Sequence, residues 1–178
     1  MKKKIVISGF GGQGVMSVGK NLVEAGMAEG YYVTWAPSYG PEMRGGTANC
    51  HVGISTSPIG APMFTHPTEL IAMNGPSVEK FGPQVAPGGM IFINSSVVKE
   101  RFEREDVQVF YVPCETIAEE LGNKKAANMV MLGAFLSATG ALKLETVEQM
   151  IHAVFAGPKE KLIPLNVAAL HRGAACVK

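Results

Sequence analysis

Ile5-Val6-Ile7-Ser8-Gly9-Phe10-Gly11-Gly12-Gln13-Gly14-Val15 is the stretch that decides the fold. Its first four residues read as a short buried strand, and a glycine-rich turn follows directly. Beyond the turn, Val15, Val18, Leu22, Val23 and Met27 recur at helical spacing over about 15 to 29. Gly30 stands where a helix end favours glycine. Tyr31 to Ala36 supplies a second strand. Strand, glycine turn, helix and strand in that order make an α/β unit, whose parallel strands require a crossover of nearly fixed handedness.

Working outward, residues 37–46 are rich in turn formers and have no helical or strand period, so they form a loop. Thr47 to Ser55 alternates as a strand. After a proline-rich connection come a strand at Leu70 to Met73 and a helix from about Ser77 to Phe81. Gly89 to Asn94 and Val107 to Val112 are two further strands with apolar centres. The remainder changes character. Glu115 to Leu121, Ala126 to Thr139, Leu144 to Phe155 and Pro158 to Ala175 read as successive helices, with Gly122, Gly140 and Gly157 at or near the breaks. Met129 to Leu136 is apolar all round, which predicts burial in the core or in a subunit interface. At 178 residues the chain suits one core, and residues 1–178 are expected to form a single α/β domain with a helical C-terminal third.

Composition removes several function classes. Sixteen basic and fifteen acidic side chains are dispersed along the chain, a net charge of +1 that offers no electrostatic footprint for nucleic acid. The apolar runs are too short to span a bilayer, so no membrane association is expected. Cys50, Cys114 and Cys176 lie more than 60 residues apart and belong to no CxxC or Cys/His ligand set. An odd cysteine count without a signal-peptide pattern predicts a cytoplasmic protein. The hydrophobic share of 47% against 17% charged residues suggests that partners cover part of the surface.

Gly9-x-Gly11-x-x-Gly14 satisfies the GxGxxG pattern after a strand and at a helix start, where backbone N–H groups and the helix dipole favour an anion. A dinucleotide site also needs an acidic residue at the end of the second strand, and here that strand ends Thr34-Trp35-Ala36-Pro37. No Lys-Ser or Lys-Thr pair follows the glycines, which excludes a Walker A loop. The glycines can equally be read as permitting only a tight turn and close helix packing. Gln13 either faces a ligand or partner loop, or is solvated.

A second loop, Ser38-Tyr39-Gly40-Pro41-Glu42-Met43-Arg44-Gly45-Gly46-Thr47, combines a rigid proline turn, a carboxylate, a guanidinium and permissive glycines. It leaves the carboxyl end of the second strand, on the rim where open parallel sheets place ligands, so the two loops can meet. Glu42 and Arg44 either lock the loop or present the guanidinium to a ligand.

Gly11-Gly12-Gln13-Gly14-Val15 followed by the 38–47 loop, with Asn128-Met129-Val130 through Gly133-Ala134 further on, resembles the gamma subunit or gamma domain of 2-oxoacid:ferredoxin oxidoreductases. Within that family, Trp35 through Cys50 is most similar to 2-oxoglutarate-type gamma subunits, with pyruvate and branched-chain types left open. The resemblance implies a Rossmann-like three-layer domain with a mostly parallel sheet. It implies a subunit, inactive alone, of a complex that decarboxylates a 2-oxoacid to an acyl-coenzyme A and passes electrons to ferredoxin. Thiamine diphosphate, Mg²⁺ and [4Fe–4S] clusters would be carried by other subunits, since this chain lacks cysteine clusters and a GDG-like stretch. The partners implied are alpha-, beta- and delta-type subunits, with self-association of the isolated chain left open. The binding residues expected are Gly11, Gly12, Gln13, Gly14, Ser38, Tyr39, Gly40, Glu42, Arg44, Gly45, Gly46 and Thr47. Backbone N–H groups of Gly11 to Gly14 and the Arg44 guanidinium would suit coenzyme A phosphates, and no catalytic or metal-binding residue is expected. The alternative is a free-standing protein that binds a nucleotide through the glycine loop.

Overall fold

The computed structural model describes residues 1–38 and 47–177. One six-stranded sheet carries the fold: β1 (Lys2–Phe10), β2 (Tyr32–Ser38), β3 (Thr47–Ser55), β4 (Glu69–Ala72), β5 (Met90–Asn94) and β6 (Gln108–Val112). Their order across the sheet is β2-β3-β1-β4-β5-β6. The β1–β4, β4–β5 and β5–β6 pairs are parallel, while β3 runs antiparallel to both β1 and β2. β1 and β2 are therefore parallel to each other, as the crossover requires, but β3 lies between them.

The helices are α1 (Val15–Ala28), α2 (Gly75–Phe81), α3 (Cys114–Glu120), α4 (Ala127–Thr139), α5 (Leu144–Val154) and α6 (Ile163–Ala175). Alternation along β1 divides the molecule into layers. Ile5 and Ile7 join a large core with Val52, Ile54, Ile71 and Phe92 under α1 and α3 to α6. Val6, with Leu70, Ala72, Ile91 and Ile93, faces a smaller core closed by Val78 and Phe81 of α2 and by Val98. The arrangement is the expected three-layer α/β sandwich with a helical C-terminal third. Positive φ angles at Gly30, Gly122, Gly140 and Gly157 explain why glycine marks the helix breaks.

α4 is the buried helix anticipated from its sequence, with Met129 to Leu136 inside the large core. It packs on α6 with glycines on both sides. A Cβ on Gly133 would overlap the Leu170 carbonyl of α6, and a Cβ on Gly173 would overlap the Val130 carbonyl of α4. The last helix departs from expectation. Residues Gly157–Leu162 form a 3-10 segment and the α-helix begins only at Ile163. Pro164 has no N–H, and in a longer α-helix its ring would strike the carbonyl four residues earlier, so it is confined to the first turn.

Candidate functional site

The C-terminal ends of β1, β2, β4, β5 and β6 share one rim, and the connections from β1 and β4 leave it on opposite faces of the sheet. α1 follows β1 over the large core, and α2 follows β4 over the small one. Such a divergence opens a crevice between adjacent strand ends, the place where open α/β sheets hold ligands. Here the crevice is bridged by Gln13. Its Oε1 accepts from the Phe10 N–H at 2.7 Å, and its Nε2 donates to the Met73 carbonyl beyond β4 at 2.9 Å. A Cβ on Gly9 would lie 2.7 Å from Gln13 Oε1 and 2.8 Å from Met73 Cβ, so the bridge requires glycine there. Beside the two readings left open for Gln13, ligand-facing or solvated, its amide has a structural use, because it holds the loop to the sheet.

The remaining glycines divide by role. Gly14 caps α1 with φ +77°, and the space its side chain would fill is taken by Asn128, 2.5 Å away at Nδ2. Gly12, at φ +92°, has nothing near its Cβ position and lines the cleft described next. α1 carries no side-chain cap and no acidic residue in its first turn. Its first N–H groups thus keep the donor capacity and partial positive charge that favour an anion.

In front of this loop lies a cleft of about 220 Å³ walled by Gly12, Gln13, Met73, Glu115, Lys124, Lys125, Ala127 and Asn128. Glu115 enters from the first turn of α3. Its Oε1 accepts from Asn94 Nδ2 at 3.0 Å, while Oε2 is buried and has no partner among the described residues. The Lys124 ammonium pairs with Glu119, whose carboxylate raises its pKa. Lys125 makes no ion pair among the described residues. The cleft can therefore offer backbone donors and a cation to an anionic group, and a carboxylate oxygen to a neighbouring donor. A larger groove of about 390 Å³, between α1, α4, α5 and α6, adjoins it at Lys125 and Asn128.

Of the residues expected from sequence, Gly12 and Gln13 line the cleft, and Gly14 sits behind it against Asn128. Gly11 lies in the same turn. Ser38 ends β2 opposite Asn49, and Thr47 begins β3 opposite Phe10, so both ends of the second loop reach the rim of the glycine turn. Tyr39, Gly40, Glu42, Arg44, Gly45 and Gly46 lie outside the described residues. The sequence reading missed Glu115, Lys124 and Lys125. The dibasic pair following Gly122-Asn123 was the available signal, but nothing local ties it to a loop more than 100 residues earlier.

Fold and site together define an α/β protein that presents a glycine turn and a small cleft at the divergence of its sheet connections. The chain belongs to the pyruvate ferredoxin/flavodoxin oxidoreductase family, whose profile matches residues 4–176. It is 43% identical over 96% of its length to the ketoisovalerate oxidoreductase subunit VorA of Methanothermobacter thermautotrophicus, but spans only 35% of that relative. It is 35% identical to the 2-oxoglutarate synthase subunit KorC of Methanothermobacter marburgensis, covering 97% of this chain and 95% of the relative. Among solved structures, the gamma subunit of a keto/oxoacid ferredoxin oxidoreductase from Geobacter sulfurreducens superposes with a TM-score of 0.83 at 28% identity, over 98% of each chain.

Proposed function

We propose that the chain is the gamma-type subunit of a multi-subunit 2-oxoacid:ferredoxin oxidoreductase, acting in assembly and in positioning coenzyme A. The observation that carries this reading is the end-to-end similarity to KorC, a relative of nearly the same extent. Residues 1–178 would form one gamma-type domain. The reaction of the whole complex is the oxidative decarboxylation of a 2-oxoacid to an acyl-coenzyme A, with electrons leaving to ferredoxin. 2-Oxoglutarate is the first substrate candidate, from the 35–50 stretch, and ketoisovalerate is the second, from the higher identity to VorA.

Iron–sulfur and thiamine diphosphate chemistry belongs in this reading to the alpha-, beta- and delta-type partners. The cysteines here do not fit cluster ligation. Burial pushes the Cys50 thiol up to about 11, and burial likewise raises Cys114 well above the usual thiol range. No group of three His, Cys, Asp or Glu side chains comes together for a metal among the described residues. No helix among them is long and apolar enough to cross a membrane, and a cytoplasmic location of the complex is part of the proposal.

Coenzyme A phosphates would meet the N–H groups of the glycine turn at Gly11 to Gly14, with Arg44 oriented by Glu42. Lys125 lies within the same cleft. The test is an anaerobic pull-down of the tagged chain from its native host, with the eluate assayed for coenzyme A-dependent reduction of a viologen dye by several 2-oxoacids. Co-purified larger subunits with activity on one 2-oxoacid are expected. A chain recovered alone and binding a dinucleotide would overturn the reading.

A further inference from the structure

The opposite end of the sheet holds a second cavity, of about 450 Å³, that the oxidoreductase reading does not use. Its lining includes Lys2, Lys3 and Lys4 at the start of β1, His66, and the apolar residues Ile59, Met63 and Phe64. Among the described residues no carboxylate contributes to its walls. The neighbouring lysine shows what is missing. Lys3 pairs with the buried Glu69 at 2.8 Å, whereas Lys2 and Lys4 make no ion pair among the described residues.

The roof of the cavity, residues 59–66, is tied to the sheet at several points. Phe64 donates its N–H to His51 Nδ1 at 3.3 Å and its ring lies 5.2 Å from the imidazole. Ile59 comes down over Gly53, which is paired with Lys4 in register, and a Cβ on Gly53 would meet Ile59 at 3.0 Å. Beyond the roof, Thr68 accepts from the Lys4 N–H at 2.8 Å, and Thr56 accepts from the amino terminus at 3.0 Å. The walls are thus set before any ligand arrives, which removes an ordering cost from binding. A preformed cavity of this volume is in the range of small-molecule sites, and it presents cations beside an apolar wall.

We infer that this cavity binds a small organic anion, a carboxylate or phosphate monoester carrying a short apolar chain, with Lys2 and Lys4 on the charged head and Ile59, Met63 and Phe64 on the chain. The site is separate from the glycine-turn cleft, so it stands or falls independently of the coenzyme A assignment.

The full chain with methyl-labelled methionine gives a direct readout, because Met63 lies in the cavity wall. Hexanoate, hexyl phosphate, acetate and inorganic phosphate are titrated separately. A saturable shift of the Met63 methyl signal is expected, at least tenfold tighter for hexanoate or hexyl phosphate than for the matching chainless anion. The tighter of the two six-carbon ligands identifies the head group. In the Lys2→Gln/Lys4→Gln double variant, affinity should fall about tenfold while the signal of the buried Met131 stays in place. Three results would overturn the inference: equal affinity for acetate and hexanoate, unchanged binding by the double variant, or tighter occupation by an acidic peptide than by either six-carbon ligand.

Discussion

Gln13 uses both ends of its amide inside the protein, and a single side chain thereby sets where the glycine turn sits against β4. Removing it in Gln13→Ala should lower unfolding free energy by about 0.5–1.5 kcal/mol in urea denaturation, since the part-buried bond to the Met73 carbonyl and the exposed one from the Phe10 N–H are both lost. An unchanged midpoint would contradict the bridging role. From sequence, an amide between glycines reads as solvent- or ligand-facing, because its acceptor and donor targets, Phe10 and Met73, are three and sixty residues away. The thiols give a second expectation at this scale. Cys50 and Cys114 are buried, and Cys50 is raised from 9.0 to about 11, so a thiol reagent at neutral pH should label exposed Cys176 first and the other two only on unfolding. Cys50 keeps its proton longer in the folded than in the unfolded state, so stability is intact below about pH 9 and declines as pH rises through about 11. Arg44→Ala in the reconstituted complex should raise the coenzyme A concentration needed for half-maximal dye reduction. An unchanged requirement with normal assembly would remove Arg44 from the site.

Helices α4 and α6 approach closely because each presents a glycine to the other's carbonyl. Gly133→Ala or Gly173→Ala forces the pair apart and should cost about 3 kcal/mol or more, beyond ordinary overpacking because the obstructing atoms are backbone. Once the helices have separated for one methyl, the second meets less resistance, so the double variant should cost less than the sum of the singles in the same denaturation assay. Additive costs would mean that the contacts are independent. The existence of α4 was legible in its all-round apolar run, but the glycine contact was not, since Gly133 and Gly173 are forty residues apart and only packing relates them. For α6 the sequence did contain the answer. Pro164 restricts the helix start more tightly than Pro158, where the sequence pattern alone begins the helix.

Across the whole molecule, all six strands and the helical C-terminal third follow from local periodicity, which is why they were readable. Strand order is different, because adjacency depends on partners that no local pattern specifies. Thr47 to Ser55 is recognisable as a strand, yet nothing in its nine residues tells that it enters between β1 and β2 in the opposite direction. The cleft shares this difficulty, since its walls come from the first strand's turn, the end of β4 and the start of the helical third. What local reading did secure was the rim, because β1 and β2 run the same way whether or not a strand intervenes. The position of β1 has a consequence for synthesis. Of the six strands it leaves the ribosome before the others, yet its neighbours β3 and β4 end at Ser55 and Ala72. At translation rates of about 5–20 residues per second, the interval from Phe10 to Ala72 lasts roughly 3–12 s. For that time the apolar Ile5-Val6-Ile7 segment lacks at least one of its two sheet partners, and a nascent chain stalled before residue 47 should expose it to proteases and chaperones.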